Sequence, residues 1–171
     1  MSDNINDIVK KYEPCLLRYA GRLLGDMESA RDIVQEAFLR LIKYEEKKSI
    51  ATIENIKAWL YRTTRNLCYD TFRSAKHRLE ITIETEQINR VVDGTETPDA
   101  NLAREDDMQL IKQQINALDP RSREIVVLKL EHDRSYKEIA EIMGLTSTNV
   151  GFILHKAMQK IAEGFNAKAQ R

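Results

Sequence analysis

The sequence predicts an all-α protein built as two small helical domains. Apolar residues recur three and four positions apart through most of the chain, and helix-boundary residues stand where those runs begin and end. A polar, largely acidic stretch interrupts the pattern between them. The divisions read as 1–78 for the first domain, 79–101 for a linker and 102–171 for the second domain.

In the first domain, Ile5, Ile8, Val9, Tyr12, Leu16, Leu17, Ala20, Leu23 and Leu24 trace one helical face. Pro14 lies inside it and should kink the helix or start a second one, and Gly25 stops it. Asp26 can cap the next helix, whose apolar stripe is Ala30, Ile33, Val34, Ala37, Phe38, Leu41 and Ile42. Asp32, Gln35, Glu36 and Arg40 occupy its other side, which is either a solvated face or a partner surface. Tyr44 to Glu54 lacks helical periodicity and reads as a surface loop.

A third helix follows from Glu54 to Arg78. Ile56, Trp59, Leu60, Thr63 and Leu67 supply its buried stripe, leaving Arg62, Arg65, Asn66, Tyr69, Asp70 and Arg73 to face elsewhere. That second stripe mixes cations with an aromatic ring and an amide, the groups that hold a phosphate backbone and contact bases beside it. A solvated helix face is the simpler reading of the same residues.

From Leu79 to Asn101 apolar residues are sparse and Thr, Glu, Asp, Gly and Pro dominate, so the segment reads as a linker; the brief alternation in ITIET has no strand to pair with. Helical pattern resumes with Leu102, Met108, Ile111, Ile115 and Leu118. Asp119 and Pro120 supply an N-cap and first-turn proline for a helix to about Glu131 bearing Ile125, Val126, Leu128 and Leu130. Ser135 and Glu138 form a capping box for SYKEIAEIM, and Gly144 closes that helix. A last helix begins near Thr146 or Ser147, with Val150, Ile153, Leu154, Ala157, Met158 and Ile161 on its apolar side.

A capped helix, a glycine stop, a short turn and a second amphipathic helix form the helix-turn-helix pattern, although helical hairpins without DNA function share parts of it. In such a unit the first residues of the second helix, here Ser147, Thr148 and Asn149, reach base edges, and its first amides can hold a phosphate.

The chain has 171 residues, enough to bury roughly 70% of its unfolded surface when compact. Lys plus Arg and Asp plus Glu each number 27, so net charge alone predicts no affinity for nucleic acid. The charges are segregated, however: basic residues crowd 62–78 and acidic ones 80–107, and local potential decides what docks. Cys15 and Cys68, the only cysteines, lie in apolar helical patterns as core filler rather than as a disulfide framework. The polar start MSDNIND carries no apolar leader, and no segment approaches the roughly 20 apolar residues of a membrane span, so the expected location is the cytoplasm without membrane insertion. His77, His132 and His155 are scattered, no Cys/His spacing suits zinc, and no glycine loop cradles a phosphate, so neither a catalytic residue, a metal nor a cofactor is expected.

LLGDMESARDIVQEAFLRL, then NIKAWLYRTTRNLCYDTFR, an acidic linker and LDPRSREIVVLKLEHDRSYKEIAEIMGLTSTNVGFILHKA closely resemble the extracytoplasmic function (ECF) group of bacterial RNA polymerase sigma factors. The likeness covers nearly all of the chain outside the linker. It implies a promoter-recognition subunit that binds core RNA polymerase and promoter DNA, helps melt the −10 region, then leaves, and performs no covalent chemistry. By the resemblance, Asp32, Gln35 and Glu36 dock on the polymerase clamp while Phe38 serves the core. The helix carrying Arg62, Arg65, Asn66, Tyr69 and Arg73 holds the −10 element, with Arg62 and Asn66 on the opened strand, and the 44–55 loop helps capture an extruded base. The linker threads toward the RNA exit channel, and an anti-sigma factor is admitted as a further partner.

The second domain resembles the family's −35 reader but departs from its pattern. Where relatives carry lysine and arginine in a run like GTVKSR, this chain has Asn149, Val150, Gly151, Phe152 and Ile153. The −35 contact then rests on Ser147, Thr148, Asn149, His155, Lys156 and the helix amides. Phe152 is either exposed, toward a thymine methyl or a protein partner, or a core residue of a slightly rotated helix. The rival readings are a stand-alone helix-turn-helix regulator that binds an operator as a dimer through its N-terminal bundle, and a helical adaptor for another protein.

Overall fold

The structure, a computed structural model, describes residues 4–82 and 102–169, with side chains from 4 to 75 and from 106 to 167. Every regular element among the described residues is helical, and the chain divides into two compact units.

In the first unit, α1 (Ile5–Leu24), α2 (Met27–Lys47) and α3 (Ile56–Thr82) pack against one another pairwise as a three-helix bundle. The expected break at Pro14 does not occur, and α1 is continuous through it. Lys10 and Pro14 are both exposed, so the carbonyl that the proline leaves without a donor can be hydrated. Gly25 ends α1 in the left-handed conformation, φ 71°, where a side chain would be strained. Asp26 caps α2 as expected, accepting the amides of Glu28 and Ser29 at 3.1 and 2.9 Å. A bond from the Ser29 side chain, together with those two amide bonds, holds its carboxyl below the ordinary carboxylate value.

Ile8, Leu16, Tyr19, Ala20, Val34, Phe38, Leu41, Leu60, Tyr61 and Leu67 fill the first core. On α3 the buried stripe is rotated from expectation. Tyr61, Thr64 and Cys68 are buried with Leu60 and Leu67, whereas Thr63 and Trp59 are only half-buried. Ile42, expected inside, is exposed, although its neighbour Leu41 is fully buried. α2 also invades the expected loop, running to Lys47, and a 3-10 turn at Ile50–Thr52 takes up part of the remainder. α3 continues through 79–82, and the rest of the acidic linker lies outside the described residues.

The second unit holds α4 (Leu102–Asn116), α5 (Pro120–Leu130), α6 (Tyr136–Met143) and α7 (Ser147–Ala169). α7 packs on all three of the others. Five consecutive residues of α5, Glu124 to Leu128, are buried because α4, α6 and α7 surround it; Leu130, at its open end, is exposed. Met108 and Met158, both expected on apolar stripes, are exposed as well. The Arg123 guanidinium donates to the carbonyls of Asn116 and Leu118, closing the C-terminal end of α4 from the next helix.

Candidate nucleic-acid and polymerase-binding surfaces

On α3 the side chains turned away from the core form a graded surface. Arg62, Asn66 and Arg73 are exposed, whereas Arg65 and Tyr69 are half-buried along its edge. The Arg65 guanidinium lies 4.5 Å from the centre of the Tyr69 ring, and Tyr69 meets Phe72 edge-to-face at 6.1 Å. Phe72 is 43% exposed and extends the cationic stripe with a second ring. Sequence reasoning left it out, although its position three residues after Tyr69 on the helix was the available signal. Arg73 pairs with Asp70 at 3.7 Å, but both are so exposed that the pair restrains Arg73 little.

The stretch before α3 is tied to α2 rather than loose. Tyr44 and Thr52 share a hydroxyl hydrogen bond of 2.9 Å, the Tyr44 ring lies 6.0 Å from Trp59, and the Glu45 carboxylate accepts the Ile50 amide. Asn55 then caps the start of α3 through the amide of Ala58 at 3.0 Å.

α2 presents Asp32 and Gln35 to solvent. Glu36 is half-buried and accepts a 3.1 Å charge-assisted bond from Arg40, one turn on. Beside that face α2 and α3 enclose a groove of 370 Å³ lined by Ile33, Arg40, Leu67, Asp70, Thr71, Ser74 and Ala75.

The α6–turn–α7 unit has the expected chemistry at its boundaries. Ser135 and Glu138 exchange both bonds of a capping box, at 3.2 and 2.9 Å. Gly144 is left-handed at φ 68°, and Leu145 donates back to Ala140 at 2.9 Å. Thr146 accepts the Asn149 amide on its hydroxyl at 3.2 Å, so α7 begins at Ser147. Buried Ile139, Ala140, Ile142 and Val150 lock the two helices together. Ser147, Thr148, Asn149, Phe152, His155 and Lys156 are all exposed. The open choice at Phe152 is resolved in favour of exposure. Gly151 is half-buried, and a Cβ on it would lie 3.4 Å from the Tyr136 ring, so Tyr136 packs over the glycine.

Among the described residues no group of three or more His, Cys, Asp or Glu is placed to hold a metal ion, and no helix is long and apolar enough to cross a membrane. The second unit is thus a helix-turn-helix module, joined in sequence to a helical bundle with a cationic, aromatic face. Comparison with known proteins makes the class specific. Sigma-70 region 2 matches residues 8–78, and Sigma-70 region 4 matches residues 108–161.

The ECF RNA polymerase sigma factor SigW of Bacillus subtilis is 31% identical over 166 residues, covering 93% of this chain and 87% of that protein. The RNA polymerase sigma factor YlaC of the same organism is 26% identical over 159 residues, covering 91% and 88%. The fold matches the sigma factor RpoE solved in complex with the anti-sigma factor NepR from Bartonella quintana, with a TM-score of 0.72, 20% identity and coverage of 96% and 98%. It also matches CnrH in complex with the cytosolic domain of CnrY, with a TM-score of 0.64, 19% identity and coverage of 95% and 88%. The chain belongs to the ECF group of RNA polymerase sigma factors, and its function is to direct promoter recognition and transcription initiation.

Proposed function

We propose a division of labour in which 1–78 binds core polymerase and the −10 element, 102–171 binds the −35 element, and 79–101 links them. The observation that carries it is the separation of surfaces in the first unit. Asp32 and Gln35 are exposed on α2, with Glu36 beside them, whereas the exposed cations Arg62 and Arg73 stand on α3. An acidic helix face suits a protein partner with basic counterparts, and a cationic face with rings and an amide suits an opened strand. Arg62 and Asn66 contact unpaired bases and their backbone, and Arg65, Tyr69 and Phe72 supply stacking surface and charge along the edge. Trp59, Tyr44 and Thr52 brace the segment that borders the extruded base.

In this reading Ser147, Thr148, Asn149, His155 and Lys156 meet the −35 duplex. The protein works in the cytoplasm without covalent chemistry, and helps melt the −10 region by holding one strand. An anti-sigma factor completes the partner set, by likeness to RpoE and CnrH.

The test is transcription from a genomic template library by core enzyme with and without the purified protein, alongside gel shifts of the same templates. Specific transcripts and shifts that need core enzyme support the reading. Tight duplex binding without core enzyme would instead establish a stand-alone regulator.

A further inference from the structure

Phe152 is the most exposed of the large apolar side chains among the described residues, at 58%. It belongs to the second turn of α7, and at about 3.6 residues per turn it projects from the side opposite the buried Val150, Leu154 and Ala157. Thr148 and Asn149, one turn earlier, and Lys156, one turn later, flank it and are exposed too. The Lys156 ammonium lies 4.6 Å from the centre of the Phe152 ring, so a cation already accompanies the ring.

The neighbours of the ring decide what it fits. A protein-docking patch is contiguous and apolar, but here the flanking exposed side chains on α7 are a hydroxyl, an amide, the His155 imidazole and an ammonium. Duplex DNA offers a matching alternation. Its base edges take hydrogen bonds from Asn and Thr, its phosphates take a lysine, and the one apolar group on a base edge in the major groove is the thymine C5-methyl. A recognition helix places its first turns in that groove.

We infer that Phe152 is a specificity-determining residue of the −35 contact, its ring packed against the C5-methyl of a thymine while Lys156 holds a phosphate beside it. This rests on the reading of α7 as the −35 helix. Part of the sequence preference is then apolar, and it turns on one methyl group per contacted thymine.

The test uses full-length protein with core polymerase and a promoter library randomised in the upstream element. The wild-type holoenzyme is expected to enrich a thymine at one position. Phe152→Ala should lose that enrichment and keep the others, and Asn149→Ala should lose a different position. At the enriched position, replacing thymine by uracil removes only the methyl and should weaken wild-type binding roughly fourfold, the equivalent of one buried carbon, while leaving Phe152→Ala unaffected. Because Phe152 is exposed, its alanine variant should melt like the parent, which thermal unfolding checks. An unchanged profile for Phe152→Ala, or no effect of uracil, overturns the inference while Asn149→Ala still supports α7 as the −35 reader. Equal weakening on all templates assigns the ring to a protein contact and overturns it too. If wild type enriches nothing upstream, both the inference and the −35 reading fail.

Discussion

The rings of Tyr19 and Tyr61 lie 5.1 Å apart, tilted by 48°, and both side chains are fully buried between α1 and α3. The pair joins α1 to the helix that bears the cationic, aromatic face. Replacing a buried aromatic residue by alanine costs about 3–5 kcal/mol, a large part of the roughly 5–15 kcal/mol that stabilises a domain. Tyr61→Ala should therefore leave the first unit marginal while the second keeps its stability. Hydrogen exchange read separately in the two units checks this; uniform protection in the variant would show that the ring pair carries little.

The same pair shows where sequence reading stopped. Boundaries were legible because each is set by one or two local residues: Asp26, Asp119, the Ser135 and Glu138 box, and Gly144 all act where their chemistry places them. Which residues are buried depends instead on the direction from which a neighbouring helix arrives. Neither Tyr19 nor Tyr61 stood out, because a phenol suits a core or a surface equally well until its partner is known. The α3 candidates could be named because charge is visible in a sequence. Phe72 was passed over because its place beside those candidates comes from meeting Tyr69 edge-to-face, and Phe152 stayed open because helix rotation alone decides its exposure.

Thr64 is fully buried in the first core, and its hydroxyl has no hydrogen-bond partner among the described residues. Thr64→Val keeps the shape and removes the polar atom. Relieving such a group should stabilise the unit by roughly 1 kcal/mol. Urea unfolding at an unchanged m-value measures it, and a loss of stability would mean that the hydroxyl is satisfied in solution.

The two faces of the first unit should separate in binding assays. Arg62→Ala with Asn66→Ala should lower promoter opening by about tenfold or more, with core affinity within about twofold of wild type. Asp32→Ala with Gln35→Ala should do the reverse. Fluorescence of a base analogue at the −10 element reports opening, and titration with core enzyme reports affinity. Parallel losses in both assays for both double variants would dissolve the proposed division.

Gly151 lies within α7, where glycine costs roughly 0.5–1 kcal/mol relative to alanine. An added Cβ would meet the Tyr136 ring at 3.4 Å, an ordinary contact distance. Gly151→Ala should thus stabilise the second unit by about that amount without displacing Tyr136. Thermal unfolding tests it, and destabilisation would show that Tyr136 needs the glycine surface to pack.

Asp119 caps α5 by accepting the Ser122 amide at 3.0 Å. Bonds from the Ser122 side chain and amide hold its carboxyl below the ordinary carboxylate value; slight burial opposes them, and the charge of Lys160 adds to them. A carboxylate whose folded value is depressed contributes stability that is complete above the unfolded value of about 3.9 and lost as pH falls through the folded one. Asp119→Ala should cost about 1 kcal/mol near neutral pH through loss of the cap. Asp119→Asn keeps an acceptor oxygen but cannot titrate, so the difference between wild type and Asp119→Asn should shrink steadily below about pH 4. The carboxylate is largely solvated, which limits the size of this pH-dependent part without changing its sign. Unfolding curves of the two proteins across that range decide the matter: parallel curves would mean that the N-terminus of α5 is indifferent to the charge on its cap.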